Sequence, residues 1–369
     1  MASKVYFSDF RVKEGDTLPR KLHRLMKEAG FENIDFQDKF VAIKIHFGEL
    51  GNLAFLRPNY ARVVADYVKE RGGKPFLTDC NTLYVGSRKN GLDHMETAYL
   101  NGFSPYTTGC HVIIADGIKG TNETLVPINC EYVQDARIGA AIMDADIVIS
   151  LSHVKGHEQA GFGGALKNLG MGSGSRAGKM QQHCDGKPTV NQKQCIGCGS
   201  CARICAHDGP QLENGKCSID MDKCVGCGRC IGVCPRDAIR PAWDATAHGL
   251  NCRIAEYAYA VCKDRPAFHI SLICDVSPNC DCHSENDVPI IPDVGMLASF
   301  DPVAIDQAAA DLCIAQPVNA GSLLDDIMSE DHEEGDHFHI LHPDTYWEVC
   351  VEHAEKIGLG TREYELIKK

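Results

Sequence analysis

The chain repeats one cysteine spacing, first as Cys195-Ile-Gly-Cys198-Gly-Ser-Cys201-Ala-Arg-Ile-Cys205 and then as Cys224-Val-Gly-Cys227-Gly-Arg-Cys230-Ile-Gly-Val-Cys234-Pro235. A cubane iron-sulfur cluster needs four thiolates that converge from different sides, and Cys-x-x-Cys-x-x-Cys supplies three of them from one tight loop. Glycines separate the cysteines, where backbone amides must approach the sulfurs closely and a Cβ would obstruct some of the turns. The duplicated run therefore predicts two [4Fe-4S] clusters.

This spacing resembles that of bacterial two-cluster ferredoxins, in which the fourth cysteine of each run ligates the other cluster. The resemblance implies one cluster on Cys195, Cys198, Cys201 and Cys234, and a second on Cys224, Cys227, Cys230 and Cys205. Zinc and disulfides are the alternatives. Zinc coordination explains pairs of Cys-x-x-Cys but not a third cysteine at the same interval. Disulfides require an oxidising compartment, whereas the start of the chain leads into no apolar signal core.

Length and composition restrict the class of protein. The chain has 369 residues, 20 cysteines and a formal net charge of -13. This charge argues against binding to nucleic acid, whose phosphates attract lysine and arginine. No apolar stretch approaches the ~18 residues that a membrane helix requires. We therefore predict a cytoplasmic protein in reducing, anaerobic surroundings, with neither a nucleic acid nor a membrane as partner.

The cysteine runs lie inside a second type of sequence. Composition changes near residues 185–188 and again after residues 240–241. Neither flank looks complete alone, so we predict a two-cluster ferredoxin-like domain at 187–241, inserted into a discontinuous domain at 1–186 and 242–369.

The flanks alternate apolar strand-like runs with helical patterns. Strands are predicted at 40–45, 74–78, 111–115, 146–151 and 268–273, and helices at 60–69, 246–262 and 301–315. Continuous apolar strands between helices are typical of buried parallel sheets. The fold class predicted is α/β, with a mostly parallel sheet and helices on both faces, interrupted by a small α+β ferredoxin-like domain.

Polar side chains follow several of these strands, and sites in open α/β sheets gather at the carboxyl ends of strands. The glycine-rich turn after His157 would place unpaired amides and a lysine beside an anion, or serve only as a strand-to-helix turn. Lys167 could alternatively be a Schiff-base or proton-transfer lysine. The candidates for catalysis are Lys167, His157 and His46. The candidates for binding a cofactor or other anion are Lys44, His153, Lys155, Gly163, Gly164 and Asn168.

An additional metal site is considered at Cys280, Cys282 and His283. Two soft thiolates and an imidazole suit iron, zinc or nickel, with His153 or His157 completing the shell. The alternative is a loop with neighbouring cysteines and no metal.

Four segments of the chain resemble a known family. They are VAIKIHFGE (41–49), SHVKGH (152–157), GFGGALKNLGMG (161–172) and IPDVG (291–295). They are similar to the uncharacterised iron-sulfur-centre proteins of the domain of unknown function 362 family, whose members often carry an inserted two-cluster ferredoxin module. The resemblance implies architecture and iron-sulfur cofactors, and it implies no particular reaction.

Three hypotheses about function follow. The first is an oxidoreductase that passes single electrons through two [4Fe-4S] clusters to an anionic substrate or cofactor, such as a flavin, at the sheet rim. The second is a non-catalytic electron-transfer subunit whose large domain is a docking platform, and the third is a metal or cofactor assembly protein. The partners expected are a ferredoxin, flavodoxin or reductase and an anionic small molecule, and the assembly considered is a homodimer.

Overall fold

The apolar runs of the sequence form one large sheet. The structure is a computed structural model that describes residues 2–184, 186–331 and 335–369. Elements are numbered along the chain. Within the described residues the sheet has eight strands, in the spatial order β16 (Tyr364–Lys368), β1 (Ser3–Asp9), β15 (Gly295–Ser299), β14 (Ala267–Ile273), β7 (Ile147–His153), β2 (Phe40–Lys44), β3 (Lys74–Asp79) and β4 (His111–Ile114).

Most neighbouring strands run parallel. β14, β7, β2, β3 and β4 are parallel throughout, with Ile43 opposite Ile149 and Leu77 as examples of the register. β15 is antiparallel to both of its neighbours, and β1 pairs in parallel with β16. The predicted mostly parallel α/β fold is confirmed. β1, β15 and β16 have no counterpart among the predicted strands.

Both faces of the sheet are covered. Along β2, Val41 and Ile43 point into one apolar core and Ala42 points into the other. Side chains of a strand alternate between faces, so one buried run supplies both cores. Helices α1 (Leu18–Glu28) and α2 (Pro58–Glu70) pack on the first face, and α6 (Ala165–Ser173), α10 (Ala247–Cys262) and α11 (Pro302–Ile314) pack on the second.

The remaining elements connect or extend this sheet. The helices are α3 (Gly91–Leu100), α4 (Pro105–Thr108), α5 (Ala140–Met143), α7 (Arg176–His183), α8 (Ser200–Ile204), α9 (Arg229–Val233), α12 (Leu323–Asp331), α13 (His337–Leu341), α14 (Glu348–Lys356) and a 3-10 turn at Phe31–Asn33. The short strands are β5 (Glu123–Pro127), β6 (Asp135–Gly139), β8 (Lys155–His157), β9 (Gly161–Gly163), β10 (Pro188–Val190), β11 (Pro210–Glu213), β12 (Lys216–Ile219) and β13 (Ile239–Pro241).

The cysteine runs lie between two short antiparallel pairings. β10 pairs with β13, which brings Pro188 opposite Pro241. β11 and β12 form a hairpin closed by Asn214 and Gly215, both at positive φ as a type I′ turn requires. The predicted boundaries at 187 and 241 stay a prediction. Separately, among the described helices of the whole chain, none has the length and apolar character needed to cross a membrane.

Candidate functional site

The carboxyl ends of four parallel strands surround one cavity. β2, β3, β7 and β14 end at this edge, and the segments that follow them contribute to the walls of a space of about 370 Å³, the rim cavity. The predicted residues that line it are Lys44, His46, His153, Lys155, His157, Gly163, Gly164, Lys167, Asn168, Cys280, Cys282 and His283. The fold thus brings residues from distant segments to one place, and their catalytic and binding roles stay predictions.

The lining of the rim cavity carries more cations than carboxylates. Among the described residues, the lysines and arginine that line it are Lys44, Arg88, Lys155, Lys167 and Lys179, against the carboxylates of Asp79 and Glu158. Glu49 pairs with Arg88 and Asp281 pairs with Lys155, although neither of these two carboxylates lines the cavity itself. The wall also has an apolar part, made by Leu83, Val85, Met171, Trp243, Leu250 and Ile254. The cavity therefore combines a charged wall with an apolar wall.

Asp79, at the end of β3, holds the floor of the cavity together. Its carboxylate lies 2.9 Å from Lys44 Nζ and 3.6 Å from Arg88 Nη1. Lys44 Nζ also donates to Asn168 Oδ1 at 2.9 Å. Burial lowers the pKa of Lys44, although Asp79 opposes the shift. Burial alone would raise the pKa of Asp79, but Lys44 and His94 hold it below its usual range. Asp79 and Lys44 therefore form a buried ion pair.

Asp281 organises a second buried group. His153 Nδ1 lies 2.9 Å from the Asp281 carboxylate, and His153 Nε2 lies 2.8 Å from the carbonyl oxygen of Cys274. Both ring nitrogens of His153 are therefore within hydrogen-bond distance of an oxygen acceptor. Lys155 Nζ donates to Asp281 at 2.7 Å. His153 therefore orients the Asp281 loop, and neither of its nitrogens is available to complete a metal shell.

His157 directs a hydrogen towards Cys280. Its Nδ1 accepts from the amides of Gln159 (3.1 Å) and Ala160 (3.0 Å), so the proton of the neutral ring sits on Nε2. Hydrogen bonding from Cys282 lowers the pKa of Cys280 well below its usual value, against the effect of burial, with support from Lys167 and His157. The result is a thiolate held inside the rim cavity.

Lys167 is the cation beside this thiolate. Its Nζ lies 3.6 Å from Cys280 Sγ. Burial lowers the pKa of Lys167, but Cys280, Cys282 and Glu158 together outweigh burial and raise the pKa above its usual value. A Schiff-base lysine needs the opposite shift, since the neutral amine is the nucleophile. The arrangement favours a charged Lys167 beside Cys280. His46 differs, because burial and Arg88 hold its pKa well below the usual value and keep the ring neutral.

The glycine turn does not offer the amides that the sequence suggested. The N–H groups of Ala165 and Leu166, at the start of α6, donate to the carboxylate of Asp306 at 2.6 and 2.8 Å. A Cβ on Gly164 would collide with the same carboxylate, so this glycine permits its close approach. The expectation of unpaired amides at this helix start is wrong, because α11 supplies an internal anion there. Burial raises the pKa of Asp306 to about 7.

Replacing Asp306 with alanine should therefore destabilise the protein. The change leaves two buried amides without acceptors, and each unsatisfied amide costs about 1–3 kcal/mol. Asp306→Asn is the matched variant, since its amide oxygen still accepts one hydrogen bond, and it should lose less. Urea unfolding of both variants measures the difference. Equal stability of Asp306→Ala and the unaltered protein would contradict this role.

The four cysteines that the ferredoxin resemblance assigns to the first cluster lie together, and their role as cluster ligands stays a prediction. Cys195, Cys198, Cys201 and Cys234 line one small cavity in the 187–241 segment. The amide of Ala238 donates to Cys234 Sγ at 3.3 Å, which is the type of N–H to sulfur bond that surrounds cluster thiolates.

A fifth thiol stands beside this group. Cys217 lines the same cavity, its Sγ lies 3.5 Å from Cys201 Sγ, and its amide donates to Cys195 Sγ at 3.3 Å. Burial and the neighbouring cysteines raise the pKa of Cys217 to about 12. Sequence spacing does not reveal this residue, because it belongs to neither run.

Three cysteines of the second run, Cys224, Cys227 and Cys230, also lie near one another. Burial and the proximity of Cys227 and Cys224 raise the pKa of Cys230 to about 12. Cys205 Sγ accepts from the amide of His207 at 3.4 Å, and its assignment to this group stays a prediction. Corresponding glycines of the two runs explain the tight loops. Gly197 and Gly226 have φ of 65° and 72°, and a Cβ on either would collide with a carbonyl oxygen.

The rim cavity and the cysteine groups share a wall. Leu83 lines the cavity and belongs to the same apolar cluster as Cys195, Cys201 and Cys230. Met180 of α7 joins that cluster, while its neighbours Lys179 and His183 line the cavity.

The comparison with known families is decisive for classification. Residues 41–311 match the family described as Domain of unknown function (DUF362). The chain belongs to this family. The predicted DUF362 membership is confirmed, and the matched range contains every residue of the rim cavity.

Known relatives of this DUF362 protein are distant. The chain is 30% identical over 131 residues to the thylakoid-associated protein sll1697 of Synechocystis sp., a match that spans 36% of each chain. Two solved structures are each 10% identical. The lactate racemase apoprotein of Thermoanaerobacterium thermosaccharolyticum has a TM-score of 0.35, covering 74% of this chain and 51% of that one. A Thermotoga maritima protein has a TM-score of 0.37, covering 80% and 57%. These values carry no functional information.

Several lining residues of the DUF362 site were not among the sequence-based candidates. Asp79 directly follows a predicted strand, and Glu158 directly follows His157, but neither carboxylate is among the sequence-based candidates. Arg88 and Lys179 lie in segments without a recognisable motif, and only the fold turns them towards the cavity. The signal for Asp79 was available, because a carboxylate that directly follows a buried strand needs a buried cation.

Proposed function

We propose that this DUF362 protein is an iron-sulfur oxidoreductase that transfers electrons to or from an anionic small molecule in the rim cavity. The observation that carries the proposal is the shared wall. Leu83 lines the cavity and belongs to the apolar cluster that contains Cys195, Cys201 and Cys230. Electrons arriving at the cysteine groups would therefore be delivered close to a ligand pocket.

The residues present fit two [4Fe-4S] clusters. Four cysteines converge on one cavity, amide N–H groups point at sulfurs, and Gly197 and Gly226 allow the backbone to turn closely round them. The proposed ligands are Cys195, Cys198, Cys201 and Cys234 for one cluster and Cys224, Cys227, Cys230 and Cys205 for the other. When bound, each such cluster exchanges one electron, so the pair supplies a two-electron reaction.

The loop at residues 82–89 fixes the clusters relative to the cavity. Lys89 pairs with Asp237 and lies 3.5 Å from the carbonyl oxygen of Cys234. The fully buried Arg176 donates to the carbonyl oxygen of Thr82 at 3.4 Å, and its side chain packs against Gly228 and Gly232 of the second run. These contacts hold the cysteine groups against the wall that contains Leu83.

The rim cavity suits the ligand half of the reaction. Lys167 provides a charge that an anionic group would meet, and the His157 Nε2–H is a proton donor beside Cys280. Apolar side chains, with Trp243 among them, exclude water from the opposite wall. A flavin would place its phosphate beside the lysines and its ring system against the apolar side chains. An aromatic or aliphatic carboxylate would make the same two kinds of contact.

The enclosed position of the candidate residues favours an enzyme over a docking platform. Lys44 and His157 are buried, and both line the cavity rather than an open surface. A ferredoxin, flavodoxin or reductase is the proposed electron partner, and the net charge of -13 suits a basic docking patch on that partner.

Anaerobic purification tests the ligand. We expect mass spectrometry of the acid-released fraction to detect an anionic small molecule at about one per chain. Lys167→Met should reduce its retention by about 10–100-fold, since a charge-assisted hydrogen bond contributes about 1.5–3 kcal/mol. Lys13→Met is the control, because Lys13 is an exposed lysine, and it should retain the molecule.

The same material tests the reaction. The recovered molecule, or its reduced form, should change the visible absorbance of dithionite-reduced or oxidised protein, respectively, with Lys167→Met slower than Lys13→Met. Retention of the molecule without any effect on the cluster absorbance would contradict the oxidoreductase and favour the docking platform.

A further inference from the structure

A thiol, an imidazole and a carboxylate converge at the rim cavity. The ligand atoms of Glu158, Cys282 and His283 all lie within 4.8 Å of one another. His283 Nε2 lies 3.2 Å from Glu158 Oε1. The three come from two segments about 125 residues apart in sequence, so their convergence is produced by the fold and not by a local turn.

The segment that carries Cys282 and His283 is held in place. The carbonyl oxygen of Asp281 accepts from the Glu49 amide at 2.9 Å, and that of His283 accepts from Asn52 Nδ2 at 3.0 Å. The Asp281 side chain is held in turn by His153 and Lys155. Glu158 directly follows β8, whose pairing with β9 fixes its backbone. Anchored ligands lose little freedom when they bind a metal ion, which favours binding.

The donor set is selective. Thiolate, imidazole and carboxylate together suit a borderline divalent ion such as Zn²⁺, whereas Mg²⁺ and Ca²⁺ prefer all-oxygen sites. Three protein ligands leave one tetrahedral position open, as in catalytic zinc sites. Because all three residues line the rim cavity, that position faces the cavity.

We propose that Glu158, Cys282 and His283 bind one borderline divalent cation of the Zn²⁺ type. The set differs from Cys280, Cys282 and His283, which the sequence suggested. Cys280 instead faces Lys167, with 3.6 Å between Sγ and Nζ, and Glu158 takes its place. The inference rests on these side chains alone and stands whether or not the protein is an oxidoreductase.

Zinc binding to the anaerobic, cluster-loaded protein tests the site. After treatment with EDTA and dialysis against Zn²⁺, elemental analysis should find about one zinc per chain beyond the iron. Cys282→Ser and His283→Gln should each weaken zinc binding at least about 10-fold, in line with the loss of a ligand, while the iron content stays unchanged. Asp287→Asn is the matched control. Asp287 is an exposed carboxylate of the same segment whose Oδ1 accepts from the Val288 amide at 2.7 Å, and it is not in the ligand set, so this variant should keep the zinc.

X-ray absorption at the zinc edge identifies the ligands without using activity. The expected first shell has one sulfur at about 2.3 Å and nitrogen or oxygen neighbours at about 2.0–2.2 Å. A shell of two or more sulfurs would place the zinc on Cys280 and Cys282 together or on the cysteines of the two runs, and either result would overturn the proposal. Zinc binding that is unchanged in both Cys282→Ser and His283→Gln, or absent from the unaltered protein, would also overturn it.

Discussion

Replacing Cys198 with alanine is expected to remove about half of the iron from the anaerobically purified protein. Cys198 is one of four thiolates that line a single cavity, and a cluster that loses one ligand from this exposed loop is not retained intact. Two intact clusters contain about eight irons, so about four should remain, and the visible absorbance should fall in proportion. Iron analysis and the ultraviolet-visible spectrum measure both quantities.

Cys217→Ser is the control that makes this experiment specific. Cys217 lies in the same cavity and 3.5 Å from Cys201, but it is not a ligand in the proposed assignment. The serine variant should keep both clusters. Loss of iron from Cys217→Ser with retention in Cys198→Ala would show that the ligand set carried over from two-cluster ferredoxins is wrong at this cluster. Equal iron in all three proteins would refute the iron-sulfur assignment.

Replacing Asp79 with alanine is expected to cost about 3–5 kcal/mol of unfolding free energy. Removing one partner of a buried ion pair leaves an uncompensated charge in the interior, and this penalty is characteristic of such changes. Lys44 is 0% exposed and Asp79 is 2% exposed, so water cannot replace the lost carboxylate. Arg88 loses a second neighbour at the same time. Urea unfolding under anaerobic conditions measures the effect.

Asp66→Ala provides the comparison for this loss. Asp66 pairs with Arg62 one turn away on α2, and both side chains are at least 40% exposed. Pairs of this kind contribute about 0.3–0.5 kcal/mol. The contrast between the two aspartates therefore tests burial as the cause. If Asp79→Ala were no more destabilising than Asp66→Ala, the buried pair with Lys44 would not be a stabilising element of the cavity floor.

The strands at the centre of the sheet were predictable because their signal is local. Residues 40–45, 146–151 and 268–273 are continuous apolar runs, and strands buried on both faces need such runs. β1 and β16 were not predicted, and most of their side chains are only partly buried or exposed. The antiparallel direction of β15 was equally out of reach, since direction depends on the connection from β14 and not on the residues of β15 itself.

The residues of the candidate site were also predictable from the sequence only in part. The strand-end rule collected Lys44, His46, His153 and Lys155, because the edge at which parallel strands end is a property of topology. The rule did not reveal how these groups are paired. In the structure Lys167 lies beside Cys280, and both ring nitrogens of His153 already have hydrogen-bond partners.

The sequence by itself determined the two cysteine runs, the DUF362 membership and the α/β class, since each depends on spacing or periodicity along the chain. Only the tertiary structure decided that Asp306 occupies the start of α6, that Glu158 joins Cys282 and His283, and that Leu83 lines the rim cavity and belongs to the apolar cluster of the cysteines. The physical reason is the same in each case. Burial and charge pairing are set by neighbours more than 50 residues away, and a one-dimensional pattern does not record them.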